Sequence, residues 1–391
     1  MNKTSRFFLF NTVAVVLFSA VFDGLCTLFL LNRGFSFLAI SIYFSVSLIC
    51  TSILELPTGY IADKIGRKKT YALGLFFRAG QCCLIIITKR IELLYLAGIF
   101  EAIYSSLTSG SLEAWLKGME DSETNKNDYT KIFGLSKTLG SFVSIVVLFS
   151  VALFVKMDLR MFYILLSFLY ICTAFLCLLY MKDNRNPIQN NTFLFDVKNI
   201  CRIYMSSTQL KFITYILSSA FAFISIYMLY FQPRVIAMGL PEDKLLYMSA
   251  IRLTGGVLSG FLYTKYANKI GKKRIILYSF FGVLLSFVAF IISPNLIYIS
   301  IANLVYGISI GTVMPVFYSW SLEKISGNYT ASLLSFMNAI SSVVASITTI
   351  IAGFVIENTG INTSMYLGAF LAITSIIILI YIYSKKEETT D

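Results

Sequence analysis

Twelve stretches of mostly apolar sequence, each about as long as a bilayer is thick, leave this chain few ways to fold. They fall near residues 7–31, 38–60, 70–88, 92–114, 133–155 and 160–181, then near 209–232, 244–265, 275–293, 296–321, 330–356 and 363–384. A helix needs roughly 20 residues to cross hydrocarbon, and only helices and closed barrels satisfy their backbone hydrogen bonds there. The expectation is an all-α integral membrane protein with twelve transmembrane helices. Composition agrees: 13% of residues are charged, against about a quarter in soluble domains. At 391 residues no room is left for a separate soluble domain. The first run follows Lys3 and Arg6 but is too long for a signal-peptide core and carries Asp23, so it reads as a retained span.

The chain also repeats itself. Between the second and third runs lies Gly59-Tyr60-Ile61-Ala62-Asp63-Lys64-Ile65-Gly66-Arg67-Lys68-Lys69-Thr70, which reads as a short basic loop turning at a membrane surface. About 205 residues later, Ala62 to Lys68 returns as Ala267-Asn268-Lys269-Ile270-Gly271-Lys272-Lys273, again between two apolar runs. The organisation expected is a six-helix bundle over 1–181, a cytoplasmic linker over 182–208 and a second bundle over 209–391. The halves are then parallel repeats about an axis along the membrane normal. Within the linker, Asn190 to Val197 reads equally as a short amphipathic surface segment or as plain connection.

The net charge of +12 would suggest nucleic acid in a soluble protein, but the basic residues lie in the loops between spans. Assigning alternate loops to alternate sides puts about 23 Lys and Arg with the termini and basic motifs, and about seven opposite. Both termini are therefore expected in the cytoplasm, in the cell's inner membrane, with lipid and not nucleic acid as partner; a monomer is expected. There is no histidine, the seven cysteines fall mostly inside apolar runs as small hydrophobes, and no phosphate-binding G-x-x-x-x-G-K-[ST] loop occurs. No cofactor, metal or ATP hydrolysis is expected, and no nucleophile and base pair stands out as an enzyme's would. An ion gradient is the driving force that remains.

Ionisable side chains inside spans are costly in lipid, so each is a functional candidate. Asp23, Arg78, Glu101 and Arg252 lie well within spans, with Glu55, Glu113 and Glu323 nearer the ends. Asp23 and Glu101 are candidate proton or substrate carboxylates, or else acids neutralised by a buried arginine. Arginine stays charged, so Arg78 and Arg252 each require an acid, a carbonyl or an anionic ligand. Ser111-Leu112-Glu113 and Ser321-Leu322-Glu323 echo one another, and both glutamates read as acids at helix C-terminal ends needing a basic partner.

Gly59, Asp63, Gly66, Arg67 and Lys68 match the pattern G-x-x-x-D-[RK]-x-G-[RK]-[RK], which resembles the signature loop of the major facilitator superfamily. The preceding Glu55-Leu56-Pro57-Thr58-Gly59 is similar to its bacterial exporter-like branches. The resemblance covers nearly the whole chain. It implies that the first, fourth, seventh and tenth spans line a central cavity, which would bring Asp23 and Glu101 to substrate. It places Arg78 toward the periphery as an acid's partner and leaves Arg252 as a ligand candidate. It further implies that Asp63 meets the start of the eleventh helix near Thr330 as a cytoplasmic latch, with Arg67 and Lys68 pairing with Asp63 or Glu113. The chain departs from the exporter pattern in two places: residues 98–110 hold Glu101 and no arginine, and the fifth span has Gly134 and Gly140 but no proline.

The function expected is proton-coupled efflux of a small amphipathic or cationic compound by alternating access. A proton-coupled uptake symporter for a small nutrient and a non-transporting membrane sensor or scaffold are the alternatives.

Overall fold

The computed structural model describes residues 3–109, 111–120, 129–154, 158–181, 193–324 and 330–387. Among them every regular element is helical. In the first half these are α1 (Lys3–Asn32), α2 (Phe37–Ile65), α3 (Arg67–Ile87), α4 (Ile91–Thr108), α5 (Ser111–Glu120), α6 (Tyr129–Phe154) and α7 (Leu159–Tyr180). Then follow α8 (Phe193–Ser206), α9 (Thr208–Ala237), a single 3₁₀ turn Glu242–Lys244, α10 (Leu245–Ile270), α11 (Lys272–Ile292), α12 (Leu296–Lys324), α13 (Thr330–Thr359) and α14 (Ile361–Glu387). Eleven helices are long and apolar enough to cross a membrane, and α6 supplies a shorter apolar segment, Thr138–Leu153. Apolar side chains such as Leu179, Ile292 and Ile297 stand mostly exposed, as lipid permits and water does not.

The chain divides into two compact units, Met1–Asn191 with Asp243–Ala250, and Thr192–Glu242 with Ile251–Asp391. The two share one internal plan. In the first, α1 packs on α6 and α7, and α3 packs on α4 and α7; in the second, α9 packs on α13 and α14, and α11 on α12 and α14. The turns repeat as well. After α1, the amides of Arg33, Gly34 and Phe35 return to the carbonyls of Phe29, Leu31 and Leu30; after α9, Met238, Gly239 and Leu240 return to Arg234, Ile236 and Val235. Gly34 and Gly239 take φ of 87° and 92° to close these turns.

The basic stretch at 59–70 is not the loop expected from the sequence. α2 continues to Ile65, Gly66 alone leaves the helix at φ 94°, and α3 begins at Arg67. The second copy does the same, with α10 running to Ile270, Gly271 at φ 82° and α11 starting at Lys272. The apolar run ends where hydrocarbon ends, but the backbone hydrogen bonds of a helix carry on through the headgroups until a residue breaks them. Inside α2, Pro57 supplies no amide, and the Thr58 hydroxyl bonds back to the Leu54 carbonyl at 2.8 Å and across to the Ser106 carbonyl on α4 at 3.2 Å.

Two further findings change the layout. The end of the expected linker is the helix α8, whose Ile200 and Tyr204 join Leu210, Ile213, Leu217, Phe317, Leu333 and Met337 in one buried cluster of the second unit. The start of α10 groups with the first unit instead. There the Lys244 ammonium donates to the Ala152 and Leu153 carbonyls at the end of α6, and Tyr247 meets Phe149 edge-on at 5.7 Å. Gly24 allows this approach, since a Cβ there would lie 2.6 Å from the Ser249 hydroxyl and 3.1 Å from Leu246.

Only glycine takes φ near +90° without strain, so Gly271→Ala should destabilise the protein by about 1–2 kcal/mol. Gly256 lies in α10 with nothing within 4 Å of an added Cβ, so Gly256→Ala should leave stability unchanged or raise it slightly. Thermal unfolding of the full chain in one detergent, with the two variants side by side, checks the contrast.

Candidate functional site

α3 is peripheral in sequence order yet carries the most deeply buried charge in the first unit. Arg78 is almost wholly buried, because Tyr71, Leu75, Arg78, Cys82 and Ile85 recur at helical spacing on the inward face of α3. Its guanidinium lies 3.3 Å from a Glu101 carboxylate oxygen on α4 and 3.8 Å from an Asp23 oxygen on α1. It also donates to the Gln81 side-chain oxygen at 2.7 Å, one turn along α3. The Gln81 amide donates at 2.8 Å to the other Glu101 oxygen and at 2.7 Å to the Tyr43 hydroxyl, which itself donates to that same oxygen at 2.9 Å.

Aromatic rings complete the enclosure. The guanidinium stands 3.9 Å from the centroid of Phe22, 5.0 Å from Tyr104 and 6.0 Å from Tyr170, distances at which a desolvated cation is attracted to a ring face. Phe22 is fixed edge-on against Tyr163 of α7, and the Tyr170 hydroxyl lies 3.3 Å from the Ser19 hydroxyl. The close approach of α4 to α2 that sets Glu101 beside Tyr43 rests on Gly98, where a Cβ would sit 2.9 Å from the Tyr43 carbonyl oxygen. Asp23 keeps 42% of its side chain exposed and Glu101 24%, so both acids contact the arginine while one edge of each stays open.

The second unit repeats the scaffold with other chemistry. Gly307 of α12 stands to the Arg252 carbonyl of α10 as Gly98 stands to Tyr43, and Gly255 approaches the Leu304 carbonyl across the same crossing. At the 205-residue repeat Arg252 corresponds to Ser47, one turn beyond Tyr43, so the close glycine contact has moved by a turn between the halves. The Arg252 guanidinium faces the Tyr227 ring at 5.8 Å. Tyr227 donates to the Asn303 side-chain oxygen at 2.8 Å and is stacked between Phe231 at 4.7 Å and Tyr306 at 4.4 Å. Among the described residues, Arg252 forms no ion pair with an acid.

At the helix ends the expectations divide. Glu323 in the last turn of α12 does pair with a basic residue, the Lys272 ammonium, which also donates to the Ser319 carbonyl at 3.2 Å. Glu113 differs from the expectation: α4 stops at Thr108, and Glu113 lies in the first turn of α5, where the helix field favours an acid. Arg67 and Lys68 form the first turn of α3, half-buried. The helix backbone includes Gly59 and Asp63, but their side-chain surroundings, and those of Thr330, lie outside the described residues, so the latch contact does too.

Sequence reasoning singled out Asp23, Arg78, Glu101 and Arg252 but missed Gln81, Tyr43 and the aromatic ring set. Gln81 had a readable signal: an amide one turn after Arg78 within an apolar run. Tyr43, Tyr104 and Tyr170 had none, because tyrosine is common throughout these spans.

A duplicated bundle of membrane-crossing helices with a few buried charges on facing elements defines a multi-pass membrane transporter. The comparisons agree: the chain matches the Major Facilitator Superfamily over residues 8–349 and 248–391, and it belongs to that family. An "Uncharacterized MFS-type transporter YxaM" of Bacillus subtilis (strain 168) is 31% identical over 96 residues, which is 25% of this chain and 24% of that one. The fold is similar to the crystal structure of the nucleoside transporter NupG, at TM-score 0.79 and 13% identity over 98% of this chain and 99% of that one. It is similar also to a bacterial homolog to the human lysosomal transporter Spinster, in an inward-facing and occupied conformation, at TM-score 0.74 and 11% identity over 96% and 95%. The protein is thus a transporter rather than an enzyme, with a small-molecule substrate and the bilayer as its solvent.

Arg78→Met removes a cation on which two acids converge, and breaking such a buried pair costs about 3–5 kcal/mol, less here because both acids are partly open. With Glu101→Gln already in place the same substitution should cost at least about 1 kcal/mol less. A double-mutant cycle on thermal or denaturant unfolding measures that coupling.

Proposed function

We propose that the protein exports a small amphipathic or cationic compound in exchange for protons. It would work by alternating access as two six-helix halves, 1–181 and 209–391 joined by 182–208, rock about a central site. The membrane is the cytoplasmic one, with both termini inside. The observation that carries this reading is the arrangement of Asp23 and Glu101 on the single guanidinium of Arg78. With both acids ionised, this trio carries one net negative charge inside the span. Either a proton or a cationic substrate neutralises it, and each makes the other's binding less favourable. Competition for one charge is what an exchanger requires.

The second reading is proton-coupled uptake of a nutrient. Arg252 favours it: a cation with no acid paired to it among the described residues, beside an aromatic ring, suits an anionic or polar solute, aromatic ones included. Nucleosides therefore belong in the test panel, beside amphipathic cations, neutral drugs and sugars. In inverted membrane vesicles holding a pH gradient, an exported cation should release protons from the lumen on addition. Asp23→Asn and Glu101→Gln should each cut that release at least about tenfold, a barrier increase of about 1.4 kcal/mol. Release unaffected by both substitutions would overturn the role given to the acids. Movement of solute and proton in the same direction would favour uptake.

We assign Asp63 to a cytoplasmic latch, within a gate motif that takes in Gly59, Gly66, Arg67, Lys68, Glu113 and Glu323. A residue that sets the closing equilibrium acts on turnover and not on the substrate's contacts. Asp63→Asn should therefore slow transport about tenfold while leaving substrate affinity within about twofold, a difference that steady-state flux beside equilibrium binding resolves.

A further inference from the structure

The second unit carries a groove that the transport reading leaves unused. It lies between the C-terminal half of α10, the N-terminal half of α11 and the middle of α12, and has a volume of about 240 Å³. Leu262, Ile270, Ile275 and Ile308 form its apolar wall, and Tyr266 and Tyr278 stand at its edges. The hydroxyls within it are already engaged, Ser279 with Thr312, Ser309 with the Val305 carbonyl and Tyr263 with Ser319 at 2.9 Å, while those of Tyr266 and Tyr278 belong to its edges. The inner wall therefore offers little to a hydrated solute, whereas a hydrocarbon chain needs no polar partner.

Charge identifies the rest of the occupant. Both helix ends that bound the groove are basic. Lys265 and Lys269 adjoin Tyr266 and Ile270 on α10, and Arg274 adjoins Ile275 on α11; all three side chains are exposed. The neighbouring Glu323 is taken up by Lys272. The apolar wall thus ends at a surplus of positive charge on the membrane-surface side, in the order of a lipid: tail, then anionic headgroup.

We propose that this groove binds one anionic phospholipid, its acyl chain along Leu262, Ile275 and Ile308 and its phosphate among Lys265, Lys269 and Arg274. The probes are phosphatidylglycerol and phosphatidylcholine, added to the purified full chain in detergent and read by native mass spectrometry as retained lipid. The wild type should retain one phosphatidylglycerol in preference to phosphatidylcholine. Lys265→Gln, Lys269→Gln and Arg274→Gln should each weaken that preference about fivefold, as about 1 kcal/mol per surface cation requires. Leu262→Trp, which fills the groove from a half-open position, should reduce retention of both lipids. Equal retention of the two lipids by wild type overturns the headgroup assignment, and so does a preference that survives the triple Gln variant. Retention unchanged in Leu262→Trp overturns the groove. Because none of these positions belongs to the acid cluster, these outcomes are independent of the direction of transport.

Discussion

The guanidinium of Arg78 is the constraint around which the first unit is assembled. It cannot be deprotonated in a protein and sits where water does not reach, so its neighbours must supply the solvation it has lost. They come from four other helices: Asp23 and Phe22 from α1, Tyr43 from α2 through Gln81, Glu101 and Tyr104 from α4, and Tyr170 from α7. Between helices in lipid there is little hydrophobic drive, since tails are as apolar as leucine. Assembly then depends on polar convergence of this kind and on close contact at small residues. A second polar bridge acts likewise among α1, α3 and α7: the Tyr71 hydroxyl donates to the Asn11 carbonyl oxygen at 2.6 Å, and the Asn11 amide reaches the Cys177 sulfur at 2.9 Å.

Duplication has preserved the scaffold and released the chemistry. A close glycine contact between the second and fourth spans is kept, Gly98 on Tyr43 in one half and, a turn along, Gly307 on Arg252 in the other. So are the ring positions, Phe22 in α1 and Tyr227 in α9, each with a guanidinium over its face. Yet the arginine comes from the third helix of one repeat and the second helix of the other. In the first unit the cation meets two acids, and in the second it faces the ring of a tyrosine. What a duplicated fold must keep is the backbone crossing that permits tight packing. The side chains presented at that crossing are free to diverge, and function resides in those side chains.

Much of the fold was legible because lipid imposes a rule that sequence shows directly. Every crossing segment must be long, apolar and helical, and the repeat of Gly66 as Gly271 located the two halves. The misreadings come from where that rule stops. Helices α2 and α10 extend past the apolar run into the headgroup region, so hydropathy cannot mark their ends. The break before Glu113 falls between Thr108 and Ser111, where the sequence has Ser109-Gly110, a helix-ending signal that hydropathy passes over, and it reversed the field that glutamate experiences. Charges inside spans were visible one by one, but their partners were not. These helices are apolar nearly all round, so periodicity does not say which face is inward, and only the packing brings Gln81 and Tyr43 to Glu101.

The basic residues that open α3 and α11 show how membrane and helix make opposing demands. Arg67, Lys68 and Lys69 begin one helix, and Lys272, Lys273 and Arg274 begin the other, with no acid in either first turn. The positive end of a helix dipole repels cations, at a cost of about 0.3–1 kcal/mol for each exposed charge. Neither Gly66 nor Gly271 offers a side chain to cap the amides there. Helix stability therefore does not explain these residues. Their position is explained by what lies outside the helix: a surface rich in phosphate, where each cation gains about as much as the dipole takes away. The same cations that hold each hairpin on its side of the membrane thus leave the helix starts dependent on anions from elsewhere, whether an acid such as Glu323 on Lys272 or the lipid itself.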